Sequence, residues 1–369
     1  MKGILYRVYA FLFNFFALLF PIKKDRAAFI SMHNENFNDS LGEVFREFEK
    51  RGFDCVLITR RDLDVNFKNI GRVFGFFFVK SRLLASSKYV FLNDNFMPSA
   101  FLNFKKEAVV TQLWHAEGAF KRFGLSIKQP DSVRKNEIAG NRKLSFVVCS
   151  SKAVAPVYAE AFGIERERVL PLGAPRADFL LKEGNEKKAK EKLEKLYPST
   201  KGKRVVLYAP TFRATKAENE TLLSHFDFEL FKKEFGEEYA LLTRLHPQIH
   251  EKATIPSPAI DVTDYGDVRE LVLASDALIT DYSSICMDFS LLSKKTVFFA
   301  FDEDKYIAER NFCFDYKTEL PGERAKTTKE VIELLRAEFD EEKNKKFRDK
   351  NFDFLDCESA KRVADAIIK

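Results

Sequence analysis

Residues 276–292 (DALITDYSSICMDFSLL) constrain this chain more than any other stretch: a short apolar run, 277–280, ends at Asp281 and is followed by Tyr282 and two serines. Such a short, largely apolar run fits a strand buried on both faces of a parallel sheet. Tyr282, Ser283 and Ser284 then open a helix with Ile285, Phe289 and Leu292 on one side. A strand that turns through small hydroxyl residues into a helix presents backbone N–H groups at the helix start. Together with the helix dipole they favour an anion, typically a phosphate or diphosphate. Asp288 follows Ser284 by four residues and so falls on the same side, placed to take hydroxyl groups attached to that phosphate. A serine N-cap in front of an ordinary core helix has the same signature, so the rest of the chain decides between the two.

The strand–helix alternation recurs throughout. Residues 27–31, 53–59, 85–92, 108–113, 146–150 and 169–172 read as strands, with amphipathic helices at 40–52 and 153–162. A lysine- and glutamate-rich helical stretch within 178–203 has few apolar positions and marks a domain boundary. Strands follow at 204–208, 239–244, 259–262, 277–280 and 296–300, with helices near 230–235 and 268–274. At 369 residues there is room for two domains. The expectation is an α/β fold of GT-B type, two Rossmann-like domains at 25–180 and 181–369 facing a central cleft at the carboxyl ends of their strands. The helical stretch from 328 onward is expected to pack over the outer side of that cleft.

Residues 4–22 (ILYRVYAFLFNFFALLFPI) are apolar except for Arg7 and Asn14, and Lys23, Lys24 and Arg26 follow. The run only just reaches the ~20 residues that span a bilayer, and no small-residue cleavage site follows it. Basic residues at both ends fit a helix lying in the interface of the inner membrane leaflet, so 1–24 is assigned as a membrane-associating helix. A single span and a helix buried in the domain are the alternatives. The 39 Phe, many in the first hundred residues, also point to a lipid-facing surface. A net charge of +6 is mild for a nucleic-acid binder, and no nucleic acid is expected; it suits anionic lipid or phosphate. The five Cys form no C-x-x-C pair, which argues for a reduced cytoplasmic setting without a disulfide framework or zinc site.

Four further segments stand at strand ends: 112–118 (QLWHAEG) with Trp114 and His115, 173–176 (GAPR) aiming Arg176, 208–213 (YAPTFR) with Pro210, Thr211 and Arg213, and 243–247 (TRLHP). In the last, Arg244 and His246 alternate with Leu245 and project to one side. A lone histidine after a strand is more often a packed or capping residue, but Gly118 and the basic pair Lys121 and Arg122 favour a cleft loop. His33 is a weaker candidate, and His225 and His250 sit in polar loops. There is neither a P-loop nor a Gly-x-Gly-x-x-Gly fingerprint, which argues against ATP hydrolysis and NAD chemistry. No carboxylate cluster demands a metal, and no cofactor is expected.

Taken in order, these segments, with 281–289 (DYSSICMDF), 298–306 (FFAFDEDKY) and 314–316 (FDY), resemble the CDP-glycerol glycerophosphotransferases of teichoic acid and capsule synthesis. The resemblance runs from about residue 85 to 325. It implies a GT-B fold, peripheral attachment to the cytoplasmic face of the cell membrane, an acceptor domain at 25–180 and a nucleotide-donor domain at 181–369. It also implies transfer of glycerol phosphate or another alditol phosphate from CDP-glycerol or CDP-ribitol to a prenyl-diphosphate-linked saccharide or polymer acceptor, with release of CMP. His115 matches the general base of that family. Arg176, Pro210, Thr211, Arg244, His246, Ser283, Ser284 and Asp288 match positions that hold the donor, with Trp114 and Arg213 beside them. The transfer chemistry itself expects Arg244, catalytic His246 and the N–H groups at Ser283-Ser284 to hold the diphosphate and stabilise the departing CMP. Where the family pattern reads Gly-Thr-Pro after the Trp-His pair, this chain has Ala116, Glu117 and Gly118, which puts the alditol and the acceptor in doubt. The length favours addition of a single unit or a short chain over processive polymerisation. Two other readings stand beside this one: a GT-B glycosyltransferase or epimerase using a sugar nucleotide, and a non-catalytic scaffold.

Overall fold

Parallel strands buried on both faces account for nearly all the apolar runs named above. The computed structural model describes residues 2–32, 37–63, 69–236, 238–246 and 254–368, and the chain divides into two compact units. The first comprises Met1–Asp178 together with Asn351–Lys369, and the second Phe179–Lys350.

In the first unit the strands are β1 (Lys23–Ser31), β2 (Asp54–Thr59), β3 (Ser87–Leu92), β4 (Val109–Gln112), β5 (Phe146–Cys149) and β6 (Val169–Pro171). Among the described residues they form one sheet in the order β2-β1-β3-β4-β5-β6, every neighbouring pair parallel. The strand order reverses between β1 and β3, the position at which doubly wound sheets open a crevice for ligand at their carboxyl ends. The Ser40–Lys50 helix starts where Asp39 accepts a bond from the Gly42 N–H (3.0 Å), and it lays Leu41, Val44 and Phe48 on the sheet.

The second unit holds β7 (Arg204–Ala209), β8 (Tyr239–Thr243), β9 (Ile260–Asp261), β10 (Ala277–Thr280), β11 (Lys295–Phe299) and β12 (Glu323–Ala325). Their order among the described residues is β12-β11-β10-β7-β8-β9, again parallel throughout. Counted from β7 this is the 3-2-1-4-5-6 order of a dinucleotide-binding sheet, with its switch point between β7 and β10. Those two strands end in Pro210-Thr211 and Asp281-Tyr282-Ser283. The solvated Asn185–Leu196 helix opens this unit and buries only Ala189 and Leu193.

Three expectations change. Residues 351–369 belong to the first unit, not to a second domain running to 369: Ala360, Val363, Ala364 and Ile367 of the Ser359–Ile367 helix join the core of Phe29, Phe48 and Phe91. Asp178 caps that helix, accepting bonds from the Ser359 (2.9 Å) and Ala360 (2.7 Å) N–H groups. Arg26 is unavailable to lipid, because it is buried against Asp54 (2.7 Å) and Ser86 (2.9 Å). The N-terminal helix runs over Lys2–Leu19 and is only half committed to the protein. Tyr9, Ala10, Phe13 and Ala17 are buried, while Ile4, Val8, Phe11, Phe15, Leu18 and Leu19 are exposed. Among the described residues no helix is long and apolar enough to cross a membrane.

Placing the last helix in the first unit is testable. Val363 is fully buried, and Val363→Asp puts an unpaired charge there, at a cost of about 3 kcal/mol or more. Hydrogen exchange should show protection lost in 23–31 and 40–50. Loss confined to the second unit would contradict the assignment.

Candidate active site

At the carboxyl end of β4, Gln112 fixes the loop that carries His115. Its side-chain amide donates to the Asp94 carbonyl (3.2 Å), and its oxygen accepts from the Trp114 N–H (2.9 Å), tying the loop to the end of β3. Trp114 adopts φ 58, a left-handed conformation uncommon for a bulky residue. Its ring is held by Phe123 (stacked, 4.9 Å) and Phe162 (edge-on, 5.3 Å) and lies 4.1 Å from the His115 ring. Ser150 Oγ accepts from the Gly118 N–H (3.1 Å), and the Tyr158 hydroxyl donates to the carbonyls of Ala116 (2.9 Å) and Gly118 (3.1 Å). The loop is thus rigid, with a half-exposed imidazole: the His115 side chain is 48% exposed, and its Nδ1 lies 3.6 Å from Asp94 Oδ2. Glu117 is buried, with Oε1 3.8 Å from Arg176 Nε. Arg176 is anchored by its own N–H to Ser40 Oγ (3.2 Å).

In the second unit Asp281 joins the strand-end loops. Its Oδ1 accepts from the N–H groups of Thr211 (2.8 Å) and Tyr282 (2.5 Å), and its Oδ2 lies 3.0 Å from Arg213 Nη1. Arg213 also grips Asp302 through Nε (2.6 Å) and Nη2 (3.0 Å), and Tyr282 donates to the same carboxylate (2.9 Å). Burial by itself would lower the Arg213 pKa, but the Asp281 and Asp302 carboxylates outweigh it and hold the guanidinium charged. Burial, reinforced by Asp302, raises the Tyr282 phenol well above its ordinary range, so it stays a donor. The ring of His246, an exposed residue, packs at 4.6 Å on Phe212 of the Pro210–Arg213 loop. Arg244 Nη1 faces the carbonyls of Val262, Thr263 and Tyr265 at 3.1–3.3 Å.

The candidates therefore separate by environment. His115, His246 and Ser284 are exposed, and Ser283, Thr211, Arg176 and Arg244 are partly so. Trp114 is 6% exposed and supports the loop, and Arg213 is spent on two carboxylates. Asp288 is buried at 4% in the first turn of the Ile285–Leu291 helix. Some of the helix-start amides assigned to an anion are already engaged: Ile285 N–H reaches Ser283 Oγ (3.4 Å) and Met287 N–H the Ser284 carbonyl (2.9 Å). His33 and His250 lie outside the described residues. Sequence reasoning passed over Asp94 and Gln112; the signal was three consecutive polar residues, Asn93, Asp94 and Asn95, closing a hydrophobic strand.

Two parallel-sheet α/β units, each doubly wound, define a class of fold shared by enzymes of different chemistry. The wall teichoic acid polymerase TagF has a similar structure, with TM-score 0.80 and 23% identity over 99% of this chain and 94% of that one. UDP-GlcNAc 2-epimerase from Neisseria meningitidis has a TM-score of 0.58 at 12% identity, covering 93% and 99%.

Sequence narrows the class. Residues 12–369 match the CDP-Glycerol:Poly(glycerophosphate) glycerophosphotransferase family, and the chain belongs to it. It is 34% identical to a teichoic acid poly(ribitol-phosphate) polymerase of Bacillus spizizenii over 98% of this chain but 59% of that protein's length. It is 28% identical to a teichoic acid ribitol-phosphate primase of the same organism over 100% and 96%. A teichoic acid glycerol-phosphate primase of Bacillus subtilis is 30% identical over 77% and 74%.

Replacing Arg213 with Ala leaves Asp281 and Asp302 without their guanidinium and should cost roughly 3–5 kcal/mol in chemical denaturation. Arg213→Lys keeps the charge but loses the fork, and should lose less. Equal stability of all three proteins would remove Arg213 as the organiser of these loops.

Proposed function

We propose that the chain transfers glycerol phosphate or ribitol phosphate from the corresponding CDP-alditol to a hydroxyl of a lipid-linked or polymer acceptor, releasing CMP. The observation that carries this reading is family membership across almost the whole chain, together with a rigid loop presenting a half-exposed histidine. The acceptor oxygen attacks the β-phosphorus in line, forming a new P–O bond as the bond to CMP breaks. Such a transfer needs positioning, charge neutralisation and a proton acceptor more than covalent help. His115 takes the acceptor proton. Arg244, His246, Thr211 and Ser283-Ser284 contact the donor diphosphate and the departing CMP, and Asp288 lies behind them. The first unit serves the acceptor and the second the nucleotide. The relatives named above, teichoic acid primases and polymerases, favour this reading over a sugar-nucleotide enzyme, which has support from fold alone.

The same reading places the protein on the cytoplasmic face of the membrane. The buried side of the Lys2–Leu19 helix packs on a second stretch that also exposes apolar residues. Tyr9 stacks on Phe76 at 4.5 Å, and Ile70, Phe74, Phe78 and Val79 of that neighbouring stretch are exposed. Lys23 and Lys24 stand exposed just after the helix, suited to anionic headgroups.

Purified protein given a synthetic prenyl-diphosphate disaccharide should release CMP from CDP-glycerol or CDP-ribitol, and the better donor names the alditol. His115→Ala should slow turnover about 10²–10⁴-fold. Absence of CMP with both donors would overturn the assignment. Phe11→Glu with Leu18→Glu changes residues that are 70% and 85% exposed. This double variant should stay folded and bind anionic vesicles at least about tenfold more weakly. Unchanged vesicle binding would remove this helix from the membrane contact.

A further inference from the structure

We infer that Asp94 is the positioning residue for His115: its carboxylate orients the imidazole and stabilises the imidazolium formed when the acceptor proton is taken. The inference rests on the transfer reaction proposed above. Three observations on the chain itself lead to it.

The first is geometric. Asp94 Oδ2 faces His115 Nδ1 at 3.6 Å, which puts Nε2 on the opposite edge of a ring that is half exposed. A carboxylate at one imidazole nitrogen fixes ring orientation and tautomer and leaves the other nitrogen for proton transfer. Pairs of this kind are commonly long without substrate and tighten in the reactive complex.

The second is that the carboxylate is itself held in place. Asp94 Oδ1 accepts from the Asn95 N–H (2.6 Å), and the side chain is only 12% exposed. Its neighbours anchor the same strand end in two directions: Asn93 donates to Asp39 (2.7 Å), the cap of the Ser40–Lys50 helix, and Asn95 donates to Glu137 (3.2 Å).

The third is the Gln112 bridge, which accepts from Trp114 and donates to the Asp94 carbonyl. The backbone before the base and the backbone of its partner are thereby fixed to one side chain, and this sets the spacing of the two groups. Gln112 is 1% exposed. Charged groups on or beside this loop include Glu117 and Arg176, which face each other at 3.8 Å, Lys121, Arg122 paired with Glu160 at 3.1 Å, and Glu137 against Asn95; all are left unchanged in the variants below.

The test uses full-length Asp94→Ala, Asp94→Asn and Asp94→Glu with wild type and His115→Ala. It measures kcat and KM for the CDP-alditol against pH, and titrates the His115 ring by NMR in wild type and Asp94→Asn. Asp94→Ala and Asp94→Asn should lower kcat at least about tenfold with KM within about twofold, and Asp94→Glu should recover part of the loss. The acid limb of the pH profile and the His115 titration should both move down in Asp94→Asn, by about half a unit or more, because the imidazolium has lost its counter-charge. Asp94→Asn is nearly isosteric, which keeps the test valid if the alanine variant fails to fold. Wild-type kcat and an unmoved titration in Asp94→Asn would overturn the inference, as would a loss seen only in KM. If wild type releases no CMP while the His115 titration still shifts in Asp94→Asn, the transfer reading fails and the coupling of the two residues stands.

Discussion

The second unit depends on one carboxylate. Asp281 receives the Thr211 and Tyr282 N–H groups on one oxygen and the Arg213 guanidinium on the other. A charge taken this far out of water persists only if paired and hydrogen-bonded. The loop after β7, the turn after β10 and Asp302 beyond β11 therefore have one mutually satisfying arrangement. The switch point of the sheet supplies adjacent strand ends, and the Asp281–Arg213–Asp302 network determines the course of the loops that leave them. Stacking of Tyr306 on Tyr282 at 3.7 Å closes the network from the side.

The first unit solves the same problem with neutral groups. Gln112, Ser150 and Tyr158 hold the backbone of the His115 loop, and an aromatic stack holds Trp114 in a left-handed conformation that its bulk disfavours. Rigidity of this kind suits a residue whose task is to meet a hydroxyl proton in one orientation. Glu117, which stands where the family pattern reads threonine, faces Arg176, itself anchored to Ser40.

Fold and chemistry separate cleanly in this protein. Both sheets have doubly wound strand orders, and the same two-unit architecture serves an epimerase acting on a sugar nucleotide as well as a teichoic acid polymerase. The segments that carry the sequence resemblance to the family stand in loops at the carboxyl ends of β4, β6, β7, β8 and β10.

By itself the sequence determined the elements. Apolar runs of four to six residues became strands at nearly the expected positions, 277–280 and the 268–274 helix without any shift, because burial on both faces leaves a parallel strand little room for polar residues. It also determined which loops carry cations and hydroxyls, since those residue types stand out against such runs. Only the tertiary structure decided strand order, the return of residues 351–369 to the first unit, and which charges are spent internally. Arg26 and Arg213 read as available cations, yet both are buried beside carboxylates remote in sequence. Asp94 drew no role from the sequence; the pairing of β3 with β4 sets it beside His115. Hydrophobic periodicity is a local property and survives in one dimension; the pairing of charges depends on distances that exist only once the sheet has formed.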